Sequence, residues 1–129
     1  MAVRASTQNR DIDARGGVVL FTWTGLTNAT SDTGAPVMAA EFSEKTWQAF
    51  GTFGAGGAVT LEGSNDGTNW GNISTRQGTT PCTLTSTTQI NTSQDRPLWV
   101  RPRVSAGDGT TSLTVTVACH RYTLSGTGT

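Results

Sequence analysis

Apolar and polar residues alternate along much of this chain with a period of two, the spacing of strands whose successive side chains point to opposite faces. Ala58-Val-Thr-Leu-Glu62 alternates strictly and turns Val59 and Leu61 inward. In Gly63-Ser-Asn-Asp-Gly67, Asn, Asp and Gly supply the backbone angles and side-chain-to-backbone bonds of a tight reversal, and Thr68-Asn-Trp70 begins the return. This stretch predicts a β-hairpin. Leu98–Val104 alternates again, with Leu98, Val100 and Val104 inward and Trp99, Arg101 and Arg103 outward. Pro102 has no N–H to donate to a ladder, which predicts a sheet edge or a bulge there. Ala106-Gly-Asp-Gly109 reads as a second reversal. Thr111–Tyr122 then places Leu113, Val115, Val117 and Cys119 on one face and Thr114, Thr116, Ala118 and His120 on the other.

Gly17–Thr24 differs in being apolar on both faces: Val18 and Leu20 on one, Val19, Phe21 and Trp23 on the other. A sandwich strand buries one face, so the second must meet the arm, a loop or another subunit, and Val19, Phe21 and Trp23 become candidate contact residues. Further strands are expected near Val37–Phe42 and over Lys45–Phe53, the latter with Trp47, Ala49 and Phe53 on one face and Phe50 on the other. Short candidates lie at Cys82–Thr85 and Thr88–Ile90. Residues 1–16 are polar and lack periodicity, the pattern of an arm that is disordered or ordered only against a partner. The organisation expected is an N-terminal arm over 1–16, one β-domain over 17–124 and a flexible tail over 125–129. Short strands with Gly-rich turns and no helical pattern make the fold all-β: an antiparallel sandwich or jelly-roll-like barrel with a flexible N-terminal arm.

Composition narrows the function. The chain of 129 residues has nine basic and nine acidic residues, charged residues are 14% of it, and the formal net charge is zero. No overall field draws it to nucleic acid or an anionic membrane, and no apolar run approaches the ~20 residues of a membrane helix. The N-terminus has no apolar segment of a signal peptide, so the chain is expected to be a cytoplasmic product. In that setting Cys82 and Cys119 are expected as two buried thiols rather than one bridge. The middle of the chain, residues 31–70, is acidic and the last part, from residue 71, is basic, a hint of complementary surfaces.

The residue types for catalysis do not assemble, and the chain is expected not to be an enzyme. His120 is the one histidine and sits mid-strand beside threonines. Its neighbour Cys119 points to the opposite face and cannot pair with it. Two cysteines and one histidine give no metal spacing, no cofactor motif is present, and Gly51-Thr-Phe-Gly-Ala-Gly-Gly57 lacks the helix and lysine of a phosphate loop. Asp66 and Asp108 belong to reversals. Trp23, Trp47, Trp70 and Trp99 could line a sugar platform, yet Trp47 and Trp70 read as core. Trp99 lies outside with Arg101 and Arg103, and Trp with Arg is the pairing most enriched at binding hot spots.

An ordered set of motifs carries a resemblance. Trp23-Thr-Gly-Leu26, Ser31-Asp-Thr-Gly34, Thr46-Trp-Gln48, Gly51-Thr-Phe-Gly54, the tract Val59-Thr-Leu-Glu-Gly-Ser-Asn-Asp-Gly-Thr-Asn-Trp70, Val100-Arg-Pro102 and Gly107-Asp-Gly-Thr-Thr-Ser-Leu-Thr-Val-Thr-Val117 resemble a family of small tailed-bacteriophage proteins encoded among head genes. The likeness spans about residues 17–122. It implies a virion structural role. Within that role the expectation is a capsid decoration, or cement, protein on the capsid surface, which binds between major capsid protein subunits as a homotrimer and stabilises the mature head. The alternatives are a carbohydrate-binding module on the virion and a tail or head-to-tail connector subunit.

Overall fold

The computed structural model describes residues 3–9, 17–28, 32–75 and 81–121. Its strands are β1 (Val3–Arg4), β2 (Ser6–Asn9), β3 (Val18–Thr27), β4 (Thr33–Gly34), β5 (Val37–Met38), β6 (Glu44–Thr52), β7 (Ala58–Ser64), β8 (Gly71–Asn72), β9 (Thr83–Leu84), β10 (Asn91–Ser93), β11 (Trp99–Ala106) and β12 (Ser112–His120). They form two sheets packed face to face. One is seven-stranded, in the order β1-β4-β11-β7-β8 with β5 added beside β11 and β9 beside β7; the other is five-stranded, β10-β6-β12-β3-β2. The sheets do not close on each other, so the alternative of a barrel gives way to the sandwich.

The alternation read from the sequence determines which side chains meet between the sheets. Val19, Phe21 and Trp23 of β3, Leu113, Val115, Val117 and Cys119 of β12, Trp47 and Ala49 of β6, Val59 and Leu61 of β7, and Val100 and Val104 of β11 are all buried. The hairpin forms as expected, with Glu62 opposite Asn72 and Gly63 opposite Gly71. The strand expected to end at Thr24 runs on through Thr27. At Gly25 the chain takes φ = 71°, and the register against β12 slips there by one residue. Only glycine adopts that angle cheaply, and the extra residue restores Leu26 to the inner face, where it is fully buried.

Several expectations are corrected. Val19, Phe21 and Trp23 are not contact residues: their face is the core itself, and their exposures are 0, 5 and 0%. The opposite face of β3, with Val18 and Leu20, is half-buried beside His120 and Ala118. The described part of the N-terminal segment needs no partner to order. β1 pairs parallel to β4 in one sheet and β2 antiparallel to β3 in the other, so residues 3–9 strap the two sheets together along one edge. Polar sequence conceals this, because the strap is held by ladder bonds and by Arg4, whose Nε and Nη2 donate to the fully buried Asp32 carboxylate at 3.0 and 2.9 Å. The remaining arm residues 10–16 and the tail 125–129 lie outside the described residues.

Pro102 sits inside the seven-stranded sheet rather than at its edge. β11 pairs with β7 on one side without interruption past it. On its other side β5 pairs at Trp99 and Val100 and β4 at Arg103, leaving a break at the proline where no N–H is required. Leu98 lies outside β11 and is 41% exposed, not inward. Thr88–Ile90 is not a strand; Ser86 and Gln89 side chains cap a turn there through the N–H groups of Thr88 and Thr85.

A candidate contact surface and the charge buried behind it

The outer face of β11 presents Trp99, Arg101 and Arg103, and their register partners on β7 are Ser64, Glu62 and Thr60. Same-face partners on neighbouring strands stand about 5 Å apart at Cβ, within reach of long side chains. Arg101 Nε donates to Glu62 Oε1 at 3.0 Å and Arg103 Nε to Oε2 at 2.7 Å. One carboxylate thus spans two guanidinium groups, and all three are drawn down onto the sheet: the Glu62 side chain is 9% exposed and that of Arg101 16%. Arg101 also lies over the Trp70 ring, 4.0 Å from its centroid. Trp70, expected in the core, is therefore a half-buried residue of this outer face, carried there by the return of the hairpin.

Beyond Glu62 a hydroxyl chain continues the face. Thr60 Oγ1 contacts Ser105 Oγ at 3.0 Å and Thr83 Oγ1 at 3.1 Å. At the other end Trp99 stands opposite Met38 of β5 and with Pro36 and Gly67 lines a hollow of 290 Å³. Among the described residues its indole N–H has no acceptor. Met38 and Leu98, both more than a third exposed, extend the apolar ground around it.

Gly67 belongs to the reversal between β7 and β8, which is built on Asp66. Its Oδ1 accepts from Ser64 Oγ and from the N–H groups of Thr68 and Asn69, and its Oδ2 from Asn69 Nδ2. The Asn69 and Thr68 N–H groups hold the Asp66 carboxyl far below the usual carboxylate range. Asp108 plays the same part in the second reversal, where bonds from Thr110 and from the Ala55 N–H hold it down to about 2.

The glutamates of the acidic middle already have partners in this chain. Glu62 is bridged as described, Glu41 pairs with Arg121, and Glu44 accepts from Gln94. His120, at the end of β12, faces outward between Val18 and Glu44.

One ionisable group escaped the reading of the sequence. Lys45, the single lysine, is fully buried on the inner face of β6. Its Nζ donates to the carbonyls of Phe42 at 3.3 Å and Asp95 at 2.9 Å. Burial pulls its pKa below the ordinary lysine value; Cys119 opposes the shift, Arg96 adds to it and Asp95 opposes it. The signal was present in the alternation, since Lys45 shares its parity with Trp47 and Ala49. Cys119 lies opposite Lys45 in the ladder, and burial pushes its thiol up to about 12 against the lysine charge. Cys82, which accepts from Trp47 Nε1 at 2.7 Å, is pushed up to about 11 by burial. Both cysteines are buried free thiols, as expected.

These features define a two-sheet β-sandwich with a structured outer face. Among solved structures, eight chains match the fold. One is SPBc2 prophage-derived protein YomS, at a TM-score of 0.57 and 15% sequence identity over 79% of this chain and 93% of that one, a likeness of fold. No protein-family model matches the sequence, and no curated protein does.

Proposed function

We propose that this chain is a bacteriophage structural protein, a capsid decoration protein that binds between major capsid subunits on the mature head, as a homotrimer. The observation that carries the reading is the outer face of β11. Trp99 is half-buried with an unused indole N–H, exposed Met38, Leu98 and Pro36 surround it, and the neighbouring arginines are already held rigid by Glu62 and Trp70. An anchor aromatic beside pre-ordered charge loses little entropy on docking, which is how a contact surface gains affinity. The sandwich shared with a prophage-derived protein and the ordered motifs of the phage family support the phage setting. Non-catalytic attachment is part of the proposal, as is the absence of nucleic-acid and membrane partners.

Trp99→Ala tests it. The variant is expected to keep the melting temperature of the free protein and to lose on the order of 2 kcal/mol of binding to shells of the accompanying major capsid protein, measured by co-sedimentation. A destabilised free protein with normal shell occupancy would refute the contact role.

A further inference from the structure

A shallow, open cleft of 400 Å³ lies beside the 63–71 turn. It is lined by Gly63, Gly71, Ile73 and Pro97 together with Asn65, the Asn72 backbone, Asp95 and Arg96. The two glycines differ in kind. A Cβ on Gly63 would stand 2.5 Å from Pro97 Cγ, so its bareness is a packing requirement. Nothing lies within 4 Å of a Cβ on Gly71, whose backbone is unstrained; its bareness leaves the cleft open.

The rim carries unspent hydrogen-bonding capacity. Among the described residues the Arg96 guanidinium has no hydrogen-bond partner. Asn65 uses Oδ1 on the Leu98 N–H, which leaves its amide donors, and Asp95 uses Oδ2 on the Ser74 N–H, which leaves Oδ1. Asp95 is also fixed from behind, its carbonyl by Lys45 Nζ at 2.9 Å and its N–H by Ser93 Oγ at 3.3 Å. A buried lysine bonded only to carbonyls is a poor device for stability. What Lys45 does deliver is a rigid 94–97 loop, the wall of this cleft.

We propose that the cleft is a binding site for a neutral pyranose sugar. Each sugar hydroxyl both donates and accepts, and the rim offers amide donors, a guanidinium and a carboxylate oxygen at close quarters. Asp95 and Arg96 cancel, so the rim has no net charge to select an anionic sugar. Ile73 and Pro97 give the C–H face of a ring an apolar seat. The site stands apart from the Trp99 surface and serves its ligand whether or not the protein coats a shell.

The test is amide NMR of the full chain titrated separately with glucose, galactose and N-acetylglucosamine at millimolar concentrations. At least one sugar is expected to give saturable shifts confined to residues 63–73 and 94–97. Gly71→Phe, which fills open space, abolishes them without lowering the melting temperature. Arg96→Ala weakens binding about tenfold, while Trp99→Ala leaves it unchanged, so this site and the contact surface succeed or fail separately. Absence of a saturable shift with all three sugars overturns the proposal. So do shifts that persist undiminished in Gly71→Phe or, should that variant be destabilised, in Arg96→Ala.

Discussion

The central strands of the seven-stranded sheet carry their ionised groups on the outer face and cover them with one another, whereas the five-stranded sheet carries one on the inner face and answers it with backbone carbonyls. Glu62 accepts from two arginines that keep contact with water, so its charge is neutralised at the sheet surface. Lys45 is fully buried and its Nζ bonds are to the Phe42 and Asp95 carbonyls. The outer faces differ in the same sense. Rows such as Thr7, Thr22, Thr116 and Gln48 cross the five-stranded sheet with no charge, while the central strands of the other sheet gather Trp99, Arg101, Glu62 and Arg103. Charge in this molecule is therefore spent in two ways, to shape a surface and to hold a loop.

The largest effect is expected from Lys45→Ala, which opens a cavity and orphans two carbonyls, at about 3 kcal/mol of stability by urea denaturation. Lys45→Met refills the volume and should return within about 1 kcal/mol of the parent, yet amides of 94–97 should exchange faster. Wild-type loop protection in Lys45→Met would erase the distinction drawn here. Glu62→Gln comes next, at about 2 kcal/mol, because it leaves two arginines facing each other over a nearly buried site that still has some access to water.

The pH dependence separates the two sheets further. The folded pKa of Lys45 is depressed, so the cost of holding its charge is full below that pKa and fades as pH rises toward the unfolded value near 10.5. The stability difference between the parent and Lys45→Met should thus move in favour of the parent on the alkaline side. Both proteins share the opposite trend of Cys82 and Cys119, whose raised values make a contribution that is present below pH 9 and lost as pH climbs through about 11 and 12. At acid pH the depressed carboxyls of Asp66 and Asp108 make a contribution present above about pH 4 and lost as pH falls through their folded values. Thermal melts across pH read all three limbs. The smallest effect belongs to Thr116→Val on the outer face of the five-stranded sheet, expected within about 0.5 kcal/mol, since its hydroxyl makes one long bond of 3.5 Å to the Gln48 carbonyl.

The sequence was most legible where one face of a strand is apolar and the other is not. Val59 with Leu61, Val100 with Val104, and the run Leu113 to Cys119 all point as the alternation requires, and the Asp-Gly reversals stand where they were read. It was least legible where backbone does the holding. Residues 3–9 offer no apolar pattern, and a ladder on each side with one Arg4–Asp32 pair leaves no periodic trace. β3 misled for another reason: a strand apolar on both faces does not say which face is the core, and Val19, Phe21 and Trp23 took the inner one. In the contact surface, the outward parity of Trp99, Arg101 and Arg103 was readable, but their shared claim on Glu62 was not, since it depends on the register between β7 and β11. Lys45 was readable by parity and passed over by residue type.

Gly34 has a consequence for lineage. A Cβ there would lie 2.6 Å from Pro102 Cδ and 2.6 Å from Trp23 Cδ1, and Trp23 Nε1 donates to the adjacent Ala35 carbonyl at 3.0 Å. Three residues far apart in the chain thus share one point of contact. In descendants of this sequence a larger residue at 34 has room only if 23 or 102 shrinks in the same lineage. Positions 23, 34 and 102 should therefore change together or stay as they are, and a lineage that altered Gly34 alone would have had to part β4 from β11.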